Sequence, residues 1–257
     1  MIDSSRLTEE NFEQLEQEER FITDEAILLM IALLGTTKTN IRLELLDFYQ
    51  RYGKDGVVTY QEARKWVGAG NKRKRLTILS EFVSSEFQKT LAHLTPEFKG
   101  MLVKIIKLEG DFFDLDLDTD ILDTKWGADN KNWNDRLKND VKLWRFRIWS
   151  DIVQSLIKRE SIDKVLERLD SRFTSAEKVL KALVLTESSA MGSLSRNAIF
   201  DELGVTKYKF YAMYDERRCD QCGSLHGLVF PMSAYQPGVT ASPIHTHCRC
   251  WEVPIVD

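Results

Sequence analysis

Two short clusters near the C-terminal end hold the residues best suited to chemistry. One is Cys219-Asp-Gln-Cys222, followed by Gly223; the other is His245-Thr-His247-Cys248-Arg-Cys250. All four cysteines of the chain lie in them, and two of its four histidines, with His226 between. A CxxC pair presents two thiolates to one ion, and a second cluster can close a tetrahedral shell, so the pattern points to zinc. Cys219 and Cys222 are the surest pair. His245 and Cys248, three apart, can be aimed inward by one tight turn. Cys248 and Cys250, two apart, share a face if the chain is extended. The preferred set is Cys219, Cys222, His245 and Cys248, with Cys250 as the rival of Cys248. Gly223 is expected to let the chain turn sharply behind the second thiolate. Two disulfides would need an oxidising compartment, and the first residues carry no signal peptide.

The elements that must carry these clusters are mostly helices. Of 257 residues, 43% are hydrophobic and 30% charged, with only five prolines and thirteen glycines. That is the balance of a globular, largely helical chain. A net charge of −4 does not advertise nucleic-acid binding over the whole surface. The longest apolar run, 26–35, is about half of what a bilayer needs, so no membrane span is expected.

The expected fold is mainly α with a small C-terminal α+β zinc-bearing module. It divides into 1–125 (helical), 126–203 (long helices) and 204–257 (zinc knuckle with short strands). Thr23-Asp24 is read as capping a helix to Leu34, Gly35-Thr-Thr37 as breaking it, and Ile41–Tyr52 as a second helix. Asp55 to Glu62 lacks the alternating oxygens of a calcium loop and reads as a glycine turn into a short helix. Thr95-Pro96 is expected to open a new helix after Leu94, with proline in its first turn. The aspartate-rich stretch 111–123 reads as an acidic loop or edge strand, without an acid–base partner. A tryptophan-flanked loop, 126–134, precedes the clearest helix, capped by Asn134-Asp135, whose Leu137, Val141, Trp144, Ile148, Ile152 and Leu156 share a face. A helix over 161–169 follows, and the box Thr174-Ser-Ala-Glu177 is read as starting another, ended by Gly204. Alternation then gives strands around 208–214, 228–230 and 251–256.

The run Tyr214-Asp-Glu-Arg-Arg-Cys-Asp-Gln-Cys222, then Leu225-His-Gly-Leu-Val-Phe230, Gln236-Pro-Gly238 and Pro243-Ile-His-Thr-His-Cys-Arg-Cys250 resembles the C-terminal module of tailed-phage minor head proteins. These are the Mu F-like, or phage head morphogenesis, proteins. Relatives read L-D-G where this chain has Leu225-His226-Gly227, and R-T-E where it has Leu185-Thr186-Glu187, so an ion pair made by that arginine is expected to be missing. Arg136, after the tryptophan loop, matches a position where relatives often carry arginine. Glu187 lies near the buried stripe of Leu183, Met191 and Leu194 and reads as a satisfied structural carboxylate.

The resemblance implies a structural assembly component in the head interior, made in the host cytoplasm, with portal and scaffold or major capsid proteins as partners. The basic run Lys72, Arg73, Lys74, Arg75 offers a contact to packaged DNA. The competing class is a zinc-dependent hydrolase or nuclease, or a DNA-binding protein ejected with the genome. Soft ligands filling the shell favour structural zinc. No GxSxG, HExxH or P-loop motif is present, so a non-enzyme is expected.

Overall fold

The computed structural model describes residues 8–68, 73–213 and 218–255. Its elements in order are α1 (Glu9–Tyr52), α2 (Tyr60–Ala63), α3 (Arg75–Phe113), a 3-10 turn (Thr119–Asp123), α4 (Trp133–Ile157) and α5 (Ile162–Glu202). They are followed by β1 (Lys207–Tyr211), α6 (Asp220–Leu225), β2 (Val229–Pro231), a 3-10 turn (Met232–Ala234) and β3 (Trp251–Ile255). The fold is mainly α with one small antiparallel sheet in the order β2-β1-β3. No described helix is long and apolar enough to cross a membrane.

Three of the long helices run straight through expected breaks. α1 is continuous over 44 residues, so the break at Gly35-Thr-Thr37 is absent. Thr23 does not cap: its hydroxyl donates to the Glu19 carbonyl at 2.7 Å, and Thr36 and Thr39 bond back to Ala32 and Gly35 in the same way. α3 holds Pro96 inside it rather than starting there, with the Thr95 hydroxyl on the Leu91 carbonyl at 2.7 Å. α5 is one helix of 41 residues, and Thr174 and Ser175 bond to the carbonyls of Asp170 and Ser171 instead of capping. Each hydroxyl satisfies itself within the helix, four residues back, so a sequence signature for a start becomes an interior position. At α4 the first-turn amide of Asp135 is held by Asn132, two residues before the expected cap.

The chain forms two compact units, residues 1–28, 97–136 and 181–257 in one, 29–96 and 137–180 in the other. Among the described residues, the regular elements of the second unit are helices. It buries Leu34, Ile41, Leu45 and Phe48 of α1, Leu79, Val83 and Phe87 of α3, the expected α4 stripe Leu137 to Leu156, and Leu166, Leu169 and Phe173 of α5. Phe87 stacks on Phe173 at 6.2 Å. The turn after α1 forms as read from sequence: Asp55 and Gly56 take positive φ, and Thr59 caps the single turn of α2. The described part of the basic run is engaged within this unit. Arg73 pairs with Glu81, Lys74 lies over the Trp66 ring, and Arg75 pairs with Glu62 and covers the Tyr52 ring at 4.1 Å. Lys72 lies outside the described residues.

The first unit carries the sheet. β1 presents Tyr208 and Phe210, both fully buried, to two neighbouring apolar clusters. Phe210 packs with Ala212, Ile244 and the cysteines; Tyr208 packs with Ile199 and Phe200 of α5. Trp251 and Val253 of β3 pack on Phe12 and Leu15 of α1. The aspartate-rich stretch is not a strand but runs from the end of α3 through a loop into the 3-10 turn: Asp114 takes φ 56°, and Leu115 and Leu117 pack against the Phe200 and Tyr208 cluster. Gly204 ends α5 at φ 69°.

Candidate metal centre

α6 and the loop before β3 bring the two clusters together. Cys219 is the N-cap of α6, its sulfur accepting the Cys222 amide at 3.3 Å. The CxxC pair therefore sits at a helix start, where amides stabilise negative sulfur. Gly223 lies inside α6, so the expected sharp turn is not there; Gly227, with φ 79°, makes it instead. The Cys248 amide bonds to the His245 carbonyl at 3.1 Å, closing the tight turn anticipated from their spacing.

Two overlapping triads result, Cys219–Cys222–His245 and Cys222–Cys248–Cys250, each with its ligand atoms within 4.8 Å of one another. His245 Nε2 stands 3.1 Å from both Cys219 Sγ and Cys222 Sγ. Its Nδ1 faces the Thr246 carbonyl at 2.7 Å, so Nδ1–H donates there and the Nε2 lone pair is free for an ion. Cys222 Sγ and Cys248 Sγ are 3.8 Å apart. A tetrahedron with Zn–S bonds of about 2.3 Å has an edge of about 3.8 Å, so the donor set fits zinc in type and in spacing.

Hydrogen bonds from Cys222 and then Cys250 outweigh burial and hold the Cys248 thiol down to about 2. Cys222 and Cys250 are pushed up, chiefly by donating to Cys248 and then by burial. Burial raises Cys219, but hydrogen bonds with Cys222 and the charge of His245 outweigh it and leave it below the usual thiol range. For His245 burial acts downward, and the Thr246 carbonyl and the Cys248 and Cys219 charges carry it upward. An ion bound here would displace the thiol protons.

The two remaining histidines of the region are placed away from this cage. His226 accepts the Ala212 amide on Nδ1 at 3.2 Å and sits edge-on to Tyr211, so it fastens α6 to the end of β1. His247 is exposed, with φ 64° and its amide on the Thr186 hydroxyl at 3.3 Å.

Two polar constructions brace the same unit. Glu187, almost wholly buried, takes Arg136 Nη1 at 2.6 Å and Trp126 Nε1 at 3.0 Å. Arg136 also pairs with Asp129 and lies 4.2 Å over the Trp126 ring. Burial raises the Glu187 carboxyl and Arg136 offsets only part of that. Glu187 is thus the satisfied carboxylate anticipated, and Leu185 leaves no gap because the arginine comes from α4. The second is Arg196, fully buried with Glu16, Glu19, Glu109 and Glu252 around it. Nothing in the local sequence signals this hub beyond an arginine on the apolar side of α5, one turn before Phe200. Glu252 on β3 also takes the Ser242 amide at 2.5 Å, tying the cysteine-bearing loop to the hub.

Among known proteins, residues 147–253 match the family model described as Phage Mu protein F like protein. No curated protein and no solved structure matches the chain. The match covers α5, the sheet, α6 and both cysteine clusters, the stretch whose motifs carried the resemblance. Over residues 147–253, the chain is therefore similar to Phage Mu protein F like protein.

Proposed function

We propose that this protein is a minor head protein that assembles with the portal inside the procapsid, and that a structural zinc holds its C-terminal lobe. The observation that carries the reading is the coincidence of the family match with the cysteine–histidine cage. Cys219, Cys222, His245 and Cys248 would hold the ion. Cys248 is favoured over Cys250 because its sulfur stands 3.8 Å from Cys222 Sγ, a tetrahedral edge, and its amide closes the turn on the His245 carbonyl. Three sulfurs and a nitrogen complete four-coordinate zinc and leave no position for a reacting water, which supports scaffolding rather than hydrolysis. The hydrogen bond from Nδ1 to Thr246 orients His245 for that role.

Co-expression with the portal protein of the same phage tests the assignment. A complex that survives high salt is the expected result, since an apolar interface is screened little. Zinc-dependent cleavage of nucleic acid or peptide by the purified protein, with no portal bound, would overturn it. Contact with packaged DNA through Lys72, Arg73, Lys74 and Arg75 is a secondary part of the proposal. It would show as binding that weakens steeply with salt.

A further inference from the structure

The Arg196 hub has more acid than base. Four glutamates from α1 (Glu16, Glu19), α3 (Glu109) and β3 (Glu252) face one guanidinium, and all five side chains are buried. Four buried carboxylates against one guanidinium would leave an uncompensated negative charge that burial makes very costly. Protons resolve the conflict, and the geometry says where one goes. Arg196 Nη1 holds Glu109 Oε1 at 2.5 Å but stands 4.0 Å from Glu19 Oε1. Glu109 is therefore the carboxylate that the cation fixes. Glu19 Oε1 and Glu109 Oε2 are the two buried carboxyl oxygens of the hub without a donor, and their side chains lie within hydrogen-bonding reach of each other. Two acceptors that meet in this way need one proton between them. Gly192 of α5 makes room for the arrangement: a Cβ there would come to 2.5 Å from Glu19 Oε1.

We infer that Glu19 is a carboxylic acid at neutral pH and donates its proton to Glu109, so that this unit folds around a bound proton and loosens as the solution becomes alkaline. Glu109 on α3, Arg196 on α5 and Glu252 on β3 act on Glu19; Glu16 on its own helix acts with it, and Arg20 of that helix acts on Glu16. Tyr235 approaches Glu252 at 3.1 Å. On the solvent side Asp24, Lys181, His245, His247 and Arg249 line the cleft that Glu16 and Glu19 also line. Burial, then the charge of Glu109, raise Glu19 well above the ordinary range, and Arg196 offsets only part. The sign follows. A carboxyl raised on folding keeps a proton that the unfolded chain has lost, so its contribution is full below the unfolded value of 4.5 and is lost as pH rises toward the folded value. Glu16, raised to about 8, adds to the same trend.

The test uses the full-length, zinc-loaded protein. Its urea unfolding is followed from pH 6 to pH 9, beside Glu19→Gln, whose amide can still donate to Glu109 but cannot ionise. One retained proton makes the unfolding constant rise about tenfold per pH unit while Glu19 stays protonated in the fold. The variant is expected to lose about one proton's worth of that slope and to be the more stable chain at pH 9. Identical slopes in the two proteins would overturn the inference. Should Glu19→Gln fail to fold, infrared spectroscopy of Glu16→Gln at neutral pH decides, because Glu16 is raised as well. A band from a protonated buried carboxyl is expected, and its absence contradicts the proposal.

Discussion

Glu187 gives the clearest lesson at the scale of single residues. The arginine that the resemblance leads one to expect two positions before it is Leu185 here, yet the carboxylate is not orphaned: Arg136 reaches it from the start of α4. Removing one partner of a buried pair leaves the other charge uncompensated, so Arg136→Ala should cost about 3 kcal/mol in urea unfolding. Arg136→Lys should recover little of it, because the flat guanidinium that covers Trp126 and grips both Glu187 and Asp129 is lost. A loss under about 0.5 kcal/mol for the alanine variant would show the pair to be dispensable. Among the thiols, Cys248→Ala should abolish tight zinc binding, while Cys250→Ala should weaken it by a smaller factor. Competition with a chromophoric chelator reads both, and equal losses would mean that the ligand choice is wrong. The cage was legible in the sequence because its rare residue types sit within one short stretch. The hub was not, because Arg196 meets partners as distant as Glu16 and Glu252, and glutamates on long helices usually face water.

At the scale of elements, hydroxyl side chains account for most of the differences between sequence and structure. Thr23, Thr95 and Thr174 each look like a helix start, and each instead bonds to the carbonyl four residues back inside a continuous helix. The apolar stripe expected on α4, Leu137 to Leu156, is the one that is buried. Only the punctuation failed, since a threonine that caps and one that bonds backwards are identical in sequence. The structure therefore predicts that Thr174→Ala changes stability by less than about 0.5 kcal/mol, whereas loss of a true N-cap costs about 1 kcal/mol. Thermal unfolding measures the difference, and a cost well above 1 kcal/mol would restore the cap. The three strands were legible from alternation to within a few residues. The helical seat of the CxxC pair was not, because six residues of α6 are too few to show a period.

At the scale of the whole molecule, the first unit is closed by two different devices. The cage joins α6 to the loop before β3, and the hub joins β3 to α1, α3 and α5. A sheet of three short strands buries little apolar surface, so structural zinc, worth on the order of 10 kcal/mol in small metal-held modules, should dominate the stability of this lobe. Chelation is expected to make the region around 205–255 protease-sensitive while the helical unit of 29–96 and 137–180 stays resistant; a lobe that remains intact without metal would refute the structural role. X-ray absorption at the zinc edge of the purified protein tests the central claim most directly. The account predicts one zinc per chain, bound by three sulfurs near 2.3 Å and one nitrogen near 2.0 Å, with no oxygen in the shell. Absence of zinc, or a shell that includes a water oxygen, would contradict a closed structural site.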